Sequence, residues 1–590
     1  MLTGTSIVAF QAHFTARSSG LVVPANLVPQ PLDVAAVYIT GDELFGFAPS
    51  IQLAVRQLRR LPFVHVLEFV AEVLKEYRKP GVTPRQADLK FAERWLANEA
   101  LTRAKNLLRD PSRRLVVPQG LYVLVKLAAF YSPDALLPGV SPGVVVAALY
   151  GALEALDSGG EEVPEEELVI STNVGRLGSY VLANQHFNKP CDEDHLMARF
   201  VRQWLELPAE RASESAVVDL EQAFNEATGV PLRDVLVVAV AVWAATLNGT
   251  ARVSARYFSS LKWDEQRLRA ALQLFTADIE VLRGGLRGEA RNDGIVWAFD
   301  TLGQYPAVLL NDGSVLVLDA HLLARRIFGG LTLYDISSAL KERGDRASKK
   351  RAHQVESCVR HLAEVYALEV LNSVTSSSPA CPRVFDSDAL LKAFQRKSRR
   401  VADAVVDYGD AWVVVEITTT KLKRESVTAR SEQSLSDDLD KLVKEVEQID
   451  HTIAALRNEE AVLTGLPTGR PRRFFPLLVL AEGFPVNPIS TTLLRERVKQ
   501  SGLLAGKDVA PLELIDTVEL EMIEALQEQG GPSMRDVLEG KQNGNLYRSS
   551  MRDYLIHERR FTLRRSERVS RLMHKAWTPA LAEFKPTEAA

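Results

Sequence analysis

Two carboxylates mark the ends of an apolar stretch in the last third of the chain: Asp403 and Glu416, in VADAVVDYGDAWVVVEITTTKL (Val401 to Leu422). The apolar runs on either side of Tyr408-Gly409 read as a β-hairpin. With Tyr408-Gly409 as a two-residue turn, Asp407 faces Asp410, Val405 faces Trp412 and Asp403 faces Val414. Glu416 then lies on the same side of the sheet as Asp403, one diagonal step away, about 7–8 Å at Cα. The remaining side chains are apolar on both faces, with Val405, Trp412 and Val414 on one and Val406, Val413, Val415 and Ile417 on the other. That pattern predicts a sheet covered on both sides. An unpaired buried carboxylate is costly, and two that converge suit a divalent cation. Mg²⁺ (or Mn²⁺) takes hard oxygen donors, so Asp403 and Glu416 are the expected metal ligands.

The elements around the hairpin must position it. Residues 50–290 are mostly of helical periodicity: IQLAVRQLRRLPFVHVLEFVAEVLKEYRK stops at Pro80-Gly81, and Thr83-Pro84 opens the next helix. YPAVLLNDGSVLVLDAHLL predicts a second hairpin turning at Asn311-Asp312-Gly313, with a helix over 331–343 behind it. From Ser348 the order is long helix, short apolar piece, the Asp403/Glu416 hairpin, helix, and the strand FFPLLVLAEGF (Phe474 to Phe484), which is a mixed α/β core. The expected organisation is α+β and multidomain. Residues 1–290 form a mainly helical region, 291–345 a hairpin-and-helix connecting segment, 346–500 the α/β domain, and 501–590 a C-terminal helical segment with a basic stretch.

Asp403, a hairpin and then V-V-V-E-I-T resemble the active-site signature of the PD-(D/E)XK nuclease superfamily. The resemblance covers about residues 348–484. It implies a restriction-endonuclease-like core with a mixed sheet flanked by helices, Mg²⁺ held by Asp403 and Glu416, and phosphodiester hydrolysis in DNA. The implied settings are restriction, repair or antiviral defence. A family glutamate on the preceding helix corresponds to Glu356, and a family glutamine on the following helix to Gln448. The sequence departs at two positions. Ala402 replaces a proline, and Thr418 stands where the family has the lysine that helps activate water. Lys444, one helical turn from Gln448, is the candidate replacement.

Composition narrows the alternatives. The 590 residues carry a net charge of −4, so attraction to nucleic acid must come from local clusters: 348–351, 395–400, 421–424, 470–473 and the basic stretch at 557–575. Such clusters are also what a solvated face looks like, and the C-terminal one could dock on the acidic loop at 161–167. The three cysteines, Cys191, Cys358 and Cys381, are far apart, which fits a reducing, cytoplasmic setting. The most apolar run, Val235 to Leu247, is too short to span a bilayer, so no membrane association is expected. HFNKPCDEDH (His186 to His195) matches no zinc-ligand spacing. No phosphate-binding glycine loop, HExxH or GxSxG is present. Three readings remain: a DNA nuclease; a catalytically degenerate nuclease-like domain that binds nucleic acid or protein; and a helical interaction protein whose N-terminal region pairs with a partner or a second copy.

Overall fold

The computed structural model describes residues 13–15, 22–24, 37–134, 142–157, 192–378, 382–394, 401–428, 431–481 and 488–583, together with Phe484 and Val486 and apart from single positions at 112, 297 and 563. The acidic loop at 161–167, residues His186 to Cys191, the basic run 395–400 and Cys381 lie outside the described residues. The N-terminal half is helical. The helix expected over 51–79 is two, Ile51–Leu58 and Phe63–Arg78, because Pro62 adopts an extended conformation ahead of the second. Thr83 closes a capping box with Gln86 ahead of Pro84. The predicted second hairpin forms, Ala307–Leu309 against Val315–Val317, with Gly313 at φ 75° in its turn. It packs with the N-terminal helices in one apolar core that joins residues 39–152 to 251–318 and so crosses the expected boundary at 290. The apolar run from Val235 belongs to the buried helix Leu232–Leu247. No single helix among the described residues is long and apolar enough to cross a membrane.

The α/β core begins with helix α1 (Arg346–Ser376), capped by Asp345. Strands β1 (Arg383–Asp386), β2 (Ala404–Asp407) and β3 (Ala411–Thr418) form an antiparallel meander. Helix α2 (Glu432–Thr464) crosses over to β4 (Arg473–Leu480), which pairs parallel to β3, as a parallel connection requires. The sheet does not end there. Strand β5 (Glu513–Asp516) pairs parallel to β4, giving the order β5-β4-β3-β2-β1, and helix α3 (Thr517–Glu528) follows it onto α1. The expected boundary at residue 500 therefore falls inside the sheet.

Side-chain alternation divides the sheet as the sequence predicts. Val406, Val413, Val415 and Ile417 join the core built on α1 and α3, whereas Val405, Trp412 and Val414 join Leu442, Val446 and Ile449 of α2. At the turn end of the hairpin the buried charges are compensated. Arg472 Nη1 is 2.6 Å from Asp407 Oδ1, its Nε is 2.8 Å from Glu460 Oε2, and its guanidinium lies over the Trp412 ring. Trp412 is fully buried and donates its indole N–H to Glu460. Trp412→Ala should lower unfolding free energy by about 3–5 kcal/mol, read from urea denaturation with an unchanged slope.

Candidate functional site

The hairpin register differs from expectation by two residues. Ala404 pairs with Val415, Val405 with Val414 and Asp407 with Trp412. The turn itself has moved by one residue, from Tyr408-Gly409 to Gly409-Asp410, and Gly409 adopts φ 84° at its first position. Asp407 decides this. Its carboxylate accepts the Gly409 N–H at 2.8 Å, while the Tyr408 N–H donates to Ala411 O at 2.9 Å, so Tyr408 and Ala411 close the turn. A register shift of two preserves side-chain parity. Continued one step past β2, the register sets Asp403 directly opposite Glu416, a closer approach than the diagonal one expected.

Asp403 stands at the bend before β2 and accepts the Ile417 N–H at 2.7 Å. Glu416, 4% exposed, accepts from Gln448 Nε2 at 2.6 Å through Oε1, while its buried Oε2 has no hydrogen-bond partner. Gln448 also donates to Glu445 at 2.9 Å, so one amide from α2 bridges two carboxylates. Glu364 of α1 is close enough to raise Glu416 and to be raised by Asp403. Burial, then Asp403, Glu445 and Glu364, push Glu416 up to about 10. Burial pushes Asp403 up to about 6, with Glu445 adding to it and the Ile417 N–H opposing. Burial and then Asp403 push Glu364 up to about 7.

The structure brings together Asp403, Glu416 and Gln448 and corrects two other expected site residues. Glu356 lies two helical turns before Glu364, roughly 12 Å along the axis, and its carboxylate pairs with Lys341 at 2.7 Å. Glu364 occupies the place expected of it. Lys444 is exposed and makes no ion pair among the described residues; its neighbour Glu445 turns inward instead. Thr418 is buried, and its hydroxyl donates to Thr420 Oγ1 at 2.9 Å, so it is a local structural hydroxyl. Lys421, three residues on, is exposed and lies within electrostatic reach of Arg360. Glu364 and Glu445 were missed because α1 and α2 each carry several half-exposed glutamates, and only the helix rotation against the sheet selects among them.

The donor set is all oxygen, with an orphaned buried carboxylate oxygen at Glu416, which is the chemistry a hard divalent cation takes. Among the described residues no group of three or more His, Cys, Asp or Glu is arranged to hold a metal ion. Several cations of the basic clusters are paired within the chain: Arg351 with Glu226, Lys423 with Asp437, Arg424 with Asp293 and Asp300, Arg473 with Glu539, Arg565 with Asp194 and Arg568 with Glu524.

Because Asp403, Glu364 and Glu416 titrate higher folded than unfolded, the folded state holds protons that the unfolded chain releases. The stability they confer is complete below about pH 4 and is lost as pH rises through about 6, 7 and 10. Urea midpoints should therefore fall between pH 5 and 9, and Glu416→Gln should flatten that fall; equal slopes in the two proteins would refute the assignment. No family model matches the chain, and neither a curated protein nor a solved structure does so.

Proposed function

We propose that the chain is a Mg²⁺- or Mn²⁺-dependent nuclease acting on DNA, with Asp403 and Glu416 as the metal ligands on a restriction-endonuclease-like core. One observation carries the reading: the half-buried Asp403 and the buried Glu416 face each other across a hairpin, and the group that bonds Glu416 is an amide, not a cation. The order of elements supports it, since a helix bearing Glu364, an antiparallel hairpin, a helix bearing Gln448 and a parallel strand follow one another as in the resembled family. Gln448 fixes the rotamer of Glu416, and the Ile417 N–H fixes that of Asp403. When bound, the cation would supply positive charge to the phosphoryl oxygens and lower the pKa of the attacking water. Glu364 and Glu445 are placed to accept protons at the edge of the pair, Glu364 with an affinity near neutrality.

The second reading is a domain that binds nucleic acid without cleaving it. Thr418 favours it, because a buried hydroxyl satisfied by Thr420 cannot act as the family lysine. Incubation with plasmid, single-stranded DNA and RNA in Mg²⁺ or Mn²⁺ separates the two. Cleavage should fall roughly 10²–10³-fold or more in Asp403→Ala and in Glu416→Ala. Undiminished cleavage by both variants excludes this site. Salt-dependent DNA binding without metal uptake in calorimetry selects the second reading.

A further inference from the structure

The turn end of the same sheet holds a cavity of about 570 Å³, formed where the 465–472 loop meets α2, the start of β4 and the loop through Lys507. It is where the basic run Arg470-Pro471-Arg472-Arg473 comes to lie, with Arg457 and Lys507 from other segments. Most of these cations are already committed. Arg457 pairs with Asp508 at 2.6 Å, Arg472 with Asp407 and Glu460, and Arg473 with Glu539. The lining carboxylates are committed in the same way, Asp508 to Arg457, Glu460 to Arg472 and Asp410 to Arg535 at 3.0 Å. What remains is Arg470 and Lys507, both exposed and neither in an ion pair among the described residues. Two positive charges thus line one concave surface from two different loops without an ion-pair partner among the described residues, and Nη2 of the buried Arg472, which lines the same cavity, has no hydrogen-bond partner.

We propose that this cavity binds a phosphate-bearing ligand, with Arg470 and Lys507 as its principal contacts. Arginine and lysine are the side chains that recognise phosphate, and two uncompensated charges match a phosphate monoester dianion. The volume accommodates a ligand of nucleotide size. The phosphate belongs either to a free nucleotide or to a nucleic-acid strand. Asp410 and Glu416 are six residues apart on one extended segment, about 20 Å, so the cavity and the carboxylate pair occupy opposite ends of the sheet and do not share residues. The proposal therefore does not rest on the nuclease reading.

The test is calorimetry on the full chain at low salt with pyrophosphate, ATP, and a hexanucleotide with and without a 5′-phosphate. Arg470→Glu and Lys507→Glu should each weaken binding by about tenfold or more, while Lys507→Arg retains it. Both positions are exposed, so thermal unfolding of the variants should match that of the parent. Binding of ATP without the oligonucleotides assigns the site to a free nucleotide. Binding only of the 5′-phosphorylated strand assigns it to a nucleic-acid end, and equal binding of both strands to backbone phosphate. Failure of all four probes, or affinities unchanged in Arg470→Glu and Lys507→Glu, overturns the proposal. Loss of metal binding or cleavage in Asp403→Ala with phosphate binding intact keeps the two sites distinct.

Discussion

The antiparallel pairing of β2 with β3, continued one step, sets Asp403 opposite the buried Glu416, and the rest of the site is built on that juxtaposition. Removal from water is the largest cause that keeps both carboxylates protonated to higher pH than in solution; Asp403 and Glu445 add repulsion at Glu416, and Glu445 adds it at Asp403. The strand pairing holds the two residues in place, because Ala404, Val405 and Val406 are buried and a slip by one residue would carry each into the core on the opposite side of the sheet. The cost of burying Glu416 is therefore imposed by the core.

The contrast between the two ends of the hairpin shows how selective this is. Asp407 and Glu460, as buried as Glu416, are both held by Arg472, and Arg383 adds a second cation to Asp407. Elsewhere Glu513 is met by Lys541 at 2.6 Å and Glu524 by Arg568 at 2.8 Å. Each of these carboxylates has a cation that offsets its loss of hydration. Glu416 has Gln448, which orients the carboxylate but carries no charge.

The same accounting of charge bears on the basic clusters. Read along the chain, they look like a positively charged surface; in the fold, several of their side chains close ion pairs with other segments, while Lys349, Lys350, Arg559 and Arg571 stay exposed with no ion pair among the described residues. The paired members tie segments of the fold together, whereas Arg470 and Lys507 bring unpaired charge to one concave surface.

The hairpin, its two apolar faces, the helices on either side and the parity that unites Asp403 with Glu416 were all legible in the residues, because alternation with a period of two and helical spacing are local properties. Gln448 was legible by resemblance. The two-residue register shift was not, since it depends on one hydrogen bond from the turn to Asp407. Glu364 in place of Glu356, and Glu445 in place of Lys444, were not either, because the rotation of a long helix against a sheet is set by packing along its whole length. Strand β5 was hidden by Glu513 and Asp516, polar residues that become buried only once Lys541 and the α3 cap satisfy them. Local periodicity, then, determined which segments pair and which side chains share a face. Which carboxylates meet, and which cations remain unspent, was decided only by tertiary packing, because charges far apart in the chain compensate one another only after the fold has brought them within a few ångströms.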